Sequence, residues 1–99
     1  LLHSVPGSLR GGHAHDVDEI VVMLTGKMLY HKRADGGREW RDELKGGQGS
    51  FNPVGQYHIW EFLDDSWLIE WKINTSKGQW RNIDDPELRA KVVANTSSR

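Results

Sequence analysis

The stretch Gly7 to Gly26, GSLRGGHAHDVDEIVVMLTG, decides the reading of this chain, because two histidines stand one residue apart and a glutamate follows four residues later. Side chains of an extended strand alternate with a period of two, so His13 and His15 share a face and Ala14 points the other way. Asp16, Val17 and Asp18 read as a short polar bend. Glu19 then opens EIVVML, whose β-branched content and length suit a buried strand. A second stretch, GQGSFNPVGQYH from Gly47 to His58, brings a third histidine: Pro53 and Gly55 form a turn, and the strand YHIWEF leaves it at once. Three imidazoles and one carboxylate are a donor set suited to a borderline divalent metal.

Written as spacings, the first stretch is G-x5-H-x-H-x3-E-x6-G, with Gly7, His13, His15, Glu19 and Gly26. The second is G-x5-P-x-G-x2-H, with Gly47, Pro53, Gly55 and His58. Both resemble the two motifs of the cupin superfamily. A position often occupied by asparagine is here Phe62, which removes no ligand. The resemblance covers Gly7 to Ile73 and implies an all-β fold, the antiparallel jelly-roll barrel. It also implies one divalent ion per chain (Fe, Mn, Ni, Zn, Co or Cu) held by His13, His15, Glu19 and His58.

Working outward, 99 residues make one domain, and a chain of that size buries only a modest share of its surface. A homodimer is therefore expected, with the apolar first residues, two leucines and Val5, crossing to the neighbour. Thirteen basic and fourteen acidic residues are interspersed without blocks, which argues against nucleic acid and anionic membranes as partners. There is no cysteine, so disulfides and thiolate metal sites are excluded. The longest apolar run falls far short of the roughly 20 residues of a membrane span, and LLHSVPGS does not read as a signal peptide. A cytoplasmic location is expected. The chain begins at Leu1 rather than Met, which leaves a trimmed start open.

Along the chain, Pro6, Gly7, Gly11 and Gly12 suggest a loop or edge segment before the His13 strand. Thr25-Gly26 reads as a tight hairpin between Glu19 to Leu24 and Lys27 to Lys32, and Asp35-Gly36-Gly37 as a second hairpin leading into REWRDELK. Asp64-Asp65 reads as a third, joining Tyr57 to Phe62 with Ser66 to Ile73. In SWLIEWKI the alternation predicts that Trp67, Ile69, Trp71 and Ile73 line the interior. His58, Trp60 and Phe62 share a parity, so the metal is expected at the bottom of a partly apolar pocket, with Trp60 and Phe62 as candidate substrate contacts. Residues 84 to 94, DDPELRAKVVA, carry an acidic cap, an early proline and apolar residues at helical spacing, which predicts a short C-terminal helix. Six or seven strands and almost no other helix make an antiparallel sandwich or barrel.

Of the remaining polar groups, Asp16 and Asp18 suit a solvated bend, although either could orient a ligand histidine. Tyr30 is the candidate proton donor, because Tyr57 should face away from His58. Arg10 is the candidate for an acidic substrate group at the pocket mouth. His3 and His31 have no matching partners and are read as non-ligands, while Trp40 or Trp80 could stack on a sugar ring or close a dimer contact. Three functions follow from the resemblance. A metal-dependent enzyme on a small organic molecule, of dioxygenase or other oxidoreductase type, comes first. A sugar or sugar-nucleotide isomerase or epimerase and a non-catalytic metal-containing binding module are the alternatives.

Overall fold

The computed structural model describes residues 1–34, 37–73, 82–84 and 86–97; the side chains of His15, 82–84 and 95–97 lie outside the described part. The strands are β1 (Leu2–Ser4), β2 (Leu9–His15), β3 (Asp18–Thr25), β4 (Lys27–Arg33), β5 (Glu39–Lys45), β6 (Gly49–Asn52), β7 (Tyr57–Phe62), β8 (Ser66–Ile73) and β9 (Asn82–Asp84), followed by helix α1 (Pro86–Ser97). They form a four-stranded sheet in the order β1-β8-β3-β6 and a five-stranded sheet in the order β5-β4-β7-β2-β9. All pairings are antiparallel. This is the all-β jelly-roll barrel expected, with a short C-terminal helix. Among the described residues no helix is long and apolar enough to cross a membrane.

Two expected hairpins are corrected. β3 and β4 belong to different sheets, as do β7 and β8, so Thr25-Gly26 and Asp64-Asp65 carry the chain across the barrel. The reason lies where these corners meet. Gly26 has φ +94°, and a Cβ there would collide with the Ser66 hydroxyl and the Asp65 carbonyl. The corners are stitched by Lys27 N–H donating to Ser66 Oγ (3.2 Å) and Leu63 N–H donating to the Lys27 carbonyl (2.9 Å). Each strand then finds its partner far along the sequence, β3 with β6 and β8, β4 with β5 and β7. The β4 to β5 hairpin is present, and REWRDELK is a strand, although turn residues 35 and 36 lie outside the described residues.

In the N-terminal segment, β1 pairs with β8 of its own chain, Leu2 opposite Leu68. β2 continues through Gly11 and Gly12, where a loop or edge segment is expected, and its residues Leu9 to Gly11 pair with β7 while β9 pairs only from His13 on.

The interior has an apolar end and a polar end. Val21, Met23, Met28, Leu44, Phe62 and Leu68 pack together with Tyr30 and Trp60. Toward the other end the inward positions become Glu19, Asn52, Lys32 and His58, all buried. β8 carries the largest correction: Leu68 is fully buried, whereas Trp67 and Trp71 are 42% and 47% exposed on the outer face. Because Leu68 pairs with the inward Leu2 and Met23, the same parity turns Ser66, Glu70 and Lys72 inward. On the other side of the molecule, α1 lays Leu88 and Val92 against Ile59 on the outer face of the five-stranded sheet. Covering a side chain of that size is worth about 1.5–3 kcal/mol. Under that face His31 and Glu61 form a buried pair at 2.9 Å.

Candidate metal centre

His13 reaches the interior through a glycine. Gly11 has φ +105°, and a Cβ there would come within 2.8 Å of the His58 carbonyl, so only glycine lets β2 approach β7 this closely. The register slips between Gly11 and His13, which sets His13 opposite His58. Such a bulge re-aims a side chain at a barrel rim. The two imidazoles meet edge to face, with ring centroids 5.0 Å apart. Glu19 arrives from the opposite sheet, fully buried, with Oε1 3.6 Å from His58 Nε2. The structure thus brings together His13, Glu19 and His58 from β2, β3 and β7. The backbone of His15 continues β2 two residues past His13, and its side chain lies outside the described residues.

Two features missed in the sequence shape this cluster. Lys72, turned inward with β8, places Nζ 2.7 Å from Glu19 Oε2 and 3.3 Å from Glu70. An ammonium here offsets much of the cost of burying the Glu19 carboxylate. Asn52 fixes the second feature. Its oxygen accepts from Gln56 Nε2 at 2.6 Å, which turns its amide NH2 toward the Gln56 carbonyl at 3.0 Å and His58 Nδ1 at 3.3 Å. With Nδ1 as the acceptor, the neutral ring carries its proton on Nε2, facing Glu19. The signal in the sequence was the parity of β8, had the side been known.

In kind, two imidazoles and a carboxylate fit a divalent transition ion. Among the described residues no group of three histidine, aspartate or glutamate side chains stands in ligating geometry. An ion would share or take over the Glu19 oxygen that Lys72 holds, and would require the other His58 tautomer or the loss of its Nε2 proton.

Around the cluster, Lys32 is buried and its Nζ donates to Ser50 Oγ (2.6 Å), lies 3.3 Å from Asp42 and sits 4.4 Å from the centre of the Tyr30 ring. Burial, then the charge of Glu19, hold the Tyr30 hydroxyl well above the usual phenol range. It stays protonated, which makes Tyr30 a hydrogen-bond donor rather than a base. Burial and Glu19 also push the Glu70 carboxyl up, against the pull of Lys72. Trp60 lies beside His58 with ring centroids 5.8 Å apart, as its parity predicts.

Two substrate candidates are engaged within the fold. Phe62 is fully buried and packs within the apolar end. Arg10 is occupied in closing the barrel, its Nε donating to Ser4 Oγ at 2.7 Å and its Nη2 to the His3 carbonyl at 3.1 Å. His3 pairs with Asp65 at 2.7 Å and stacks on Trp67, and His31 faces Glu61, so neither histidine joins the cluster. Asp18 accepts from the Val54 N–H at 2.9 Å, a bend-forming role. Tyr57 packs toward α1, away from His58, as predicted. Trp40 is covered by Arg38 at 4.4 Å, and Trp80 lies outside the described residues.

No protein-family model and no curated protein matches the chain. Solved structures do. Oxalate decarboxylase from Bacillus subtilis matches with a TM-score of 0.74 and 20% identity over 97% of this chain and 26% of that one. The capsular polysaccharide assembling protein CapF from Staphylococcus aureus matches with a TM-score of 0.68 and 22% identity over 83% of this chain and 25% of that one. An oxalate decarboxylase from Lactobacillus farciminis, in complex with formate, gives 0.64 and 24% over 71% of this chain and 21% of that one. This chain therefore spans about a quarter or less of the proteins it resembles, and the likeness is one of fold.

Proposed function

We propose, for a chain that has the cupin jelly-roll fold, a metal-dependent enzyme acting on a small organic molecule, with dioxygenase or related oxidation as its finer class. The observation that carries this reading is the convergence of His13, Glu19 and His58 from three strands of two sheets around a fully buried carboxylate. His13, His15, Glu19 and His58 would hold the ion, and Fe, Mn, Co, Ni, Cu or Zn suits that set. When bound, such an ion supplies Lewis acidity and, if redox-active, access to dioxygen. The chain's own residues do the rest. Lys72 pairs with Glu19, Asn52 and Gln56 orient the His58 ring, and the apolar end of the barrel lies beyond Trp60.

One observation favours a second reading, sugar isomerisation or epimerisation. The His58 Nε2 proton facing Glu19 makes an imidazole–carboxylate pair that can move a proton without a metal. The likeness to a capsular polysaccharide assembling protein points the same way.

The test is elemental analysis after anaerobic reconstitution with Fe(II). About one ion per chain is expected, lost in His15→Ala and in His58→Ala. A tightly bound ion surviving in both variants would overturn the ligand assignment. Oxygen consumption with Fe(II) but not Zn(II) supports the oxidative class, because zinc has no accessible redox step. Anaerobic turnover of a sugar or keto substrate by the Zn(II) form, as fast as by the Fe(II) form in air, supports the second reading. Ligand binding without turnover under any ion identifies a binding module.

We also propose a homodimer, formed through the outer face of the four-stranded sheet. Ile20, Val22, Phe51, Trp67, Ile69 and Trp71 point outward there, and none carries a charge. Strands of three, eight, eight and four residues, at about 3.3 Å per residue and about 4.8 Å apart, give a flat area of roughly 360 Å² before side-chain relief. That is under half of the ~800 Å² per partner of a standard interface, the scale of a weak association. Depletion of charge at the centre of the patch is the usual mark of an interface core.

A further inference from the structure

Tyr30 and Trp60 are partners in register on β4 and β7, their rings 6.0 Å apart, at the boundary between the two ends of the barrel. Both are buried, Tyr30 fully and Trp60 at 4% exposure. Yet among the described residues neither the Tyr30 hydroxyl nor the Trp60 indole N–H makes a hydrogen bond of good geometry, although the indole N–H is directed toward the hydroxyl and lowers its pKa against the larger effects of burial and Glu19. Buried polar atoms are nearly always paired, so two orphans side by side require an explanation. Packing alone does not give one, because phenylalanine would fill either place, as Phe62 does one position along the same face. The nearby polar chains are satisfied: Lys32 by Ser50 and Asp42, Asn52 and Gln56 by each other.

We propose that the Tyr30 hydroxyl and the Trp60 N–H form a two-donor subsite for an acceptor oxygen of the substrate, a carboxylate or carbonyl oxygen that brings no proton of its own. The inference rests on the small-molecule reading of the barrel and names the chemistry that the substrate must present. An indole N–H can only donate, so a hydroxyl group could satisfy it only by turning its own proton elsewhere. The Lys32 ammonium, 4.4 Å from the centre of the Tyr30 ring, withdraws electron density from the phenol and strengthens its donor end. With His58 5.8 Å from both rings, a molecule anchored here presents its next atoms to the His13, Glu19 and His58 cluster.

The test uses 15N-labelled protein, first loaded with diamagnetic Zn(II) and again without added metal. The Trp60 indole resonance is assigned by its loss in Trp60→Phe. Acetate and acetone serve as carboxylate and carbonyl probes. Either should move the Trp60 indole proton downfield while the other four indoles stay put, and which probe binds more tightly tells carboxylate from carbonyl. Tyr30→Phe should weaken the preferred probe about tenfold and, because it removes an orphaned hydroxyl, raise Tm in the absence of probe. An unmoved Trp60 resonance with both probes overturns the proposal. So does a Tyr30→Phe protein that melts lower than the parent, since the hydroxyl would then have a structural partner. Neither readout depends on metal occupancy, so a failed metal assignment leaves this result standing and the reverse holds too.

Discussion

On the five-stranded sheet the outward side chains of β7 disappear under α1, where Ile59 is fully buried against Leu88 and Val92. On the four-stranded sheet the outward side chains of β8 stay bare among the described residues, with Trp67 and Trp71 exposed by nearly half beside an equally exposed Phe51. The two strands look alike in sequence, both rich in aromatic and branched residues. They differ in what they turn inward. β7 sends His58, Trp60 and Phe62 into the barrel, while β8 sends Ser66, Leu68, Glu70 and Lys72. Alternation identifies two faces but does not say which is inside, and a barrel that builds a polar site in its interior reverses the usual assignment. The charges of β8 face the site, and its tryptophans stay outside, on the face where we propose the dimer contact.

The comparison is broken most directly at α1. Leu88→Ala should lower unfolding stability by about 2–3 kcal/mol, the low end for a buried leucine, because a helix at the rim can partly collapse onto the gap. Urea unfolding monitored by circular dichroism measures it. A loss below about 0.5 kcal/mol would show that α1 contributes little cover and that the two outer faces are equivalent.

How much of this was legible in the sequence follows from the range of the interactions. The HxH pair, Glu19 four residues on, and the Pro53 and Gly55 turn before His58 are local signals, and strand geometry turns them directly into positions. His13 meets His58 edge to face and Glu19 lies 3.6 Å from His58, with Trp60 beside them, although among the described residues no group of three stands in ligating geometry. The hairpins at Thr25-Gly26 and Asp64-Asp65 failed because a tight turn says nothing of whether its flanking strands pair. That choice is made by partners far along the chain, Phe51 opposite Ile20 and Ile59 opposite His31. Lys32 and Lys72 were invisible for a related reason: a lysine in a strand is ordinarily a surface residue, and only the position of Glu19 across the barrel draws Lys72 in. The orphaned donors of Tyr30 and Trp60 have no sequence signature at all.

The bare face gives the next expected effect. Trp71→Ala should change the unfolding stability of the single chain by less than about 1 kcal/mol, since an exposed side chain has little packing to lose. On the proposed dimer it should act more strongly, and Trp71→Glu, which sets a charge in the middle of the patch, should leave single chains at micromolar concentration by light scattering. A parent protein that already has the mass of one chain under those conditions overturns the dimer. A stability loss from Trp71→Ala as large as that from Leu88→Ala would instead mean that the chain covers this face itself.

The smallest effect concerns the charges that dock α1 onto its sheet. Glu39 of β5 accepts from Arg33 Nε at 3.0 Å and from Lys91 of α1 at 3.0 Å, and Arg33 also reaches Glu87 of α1 at 3.2 Å. Arg33 first and Lys91 second hold the Glu39 carboxyl below the usual carboxylate range. A carboxyl whose folded pKa is lowered contributes stability above its unfolded pKa, and that stability is lost as pH falls through the folded value. Glu39→Gln should therefore melt slightly below the parent at pH 7, by no more than a few degrees because these side chains are solvent-screened. The two curves should converge in acid, below the range in which Glu39 titrates, and the gap at pH 7 should narrow in high salt. A gap that persists unchanged in acid and in salt would show that Glu39 acts through packing rather than through its charge.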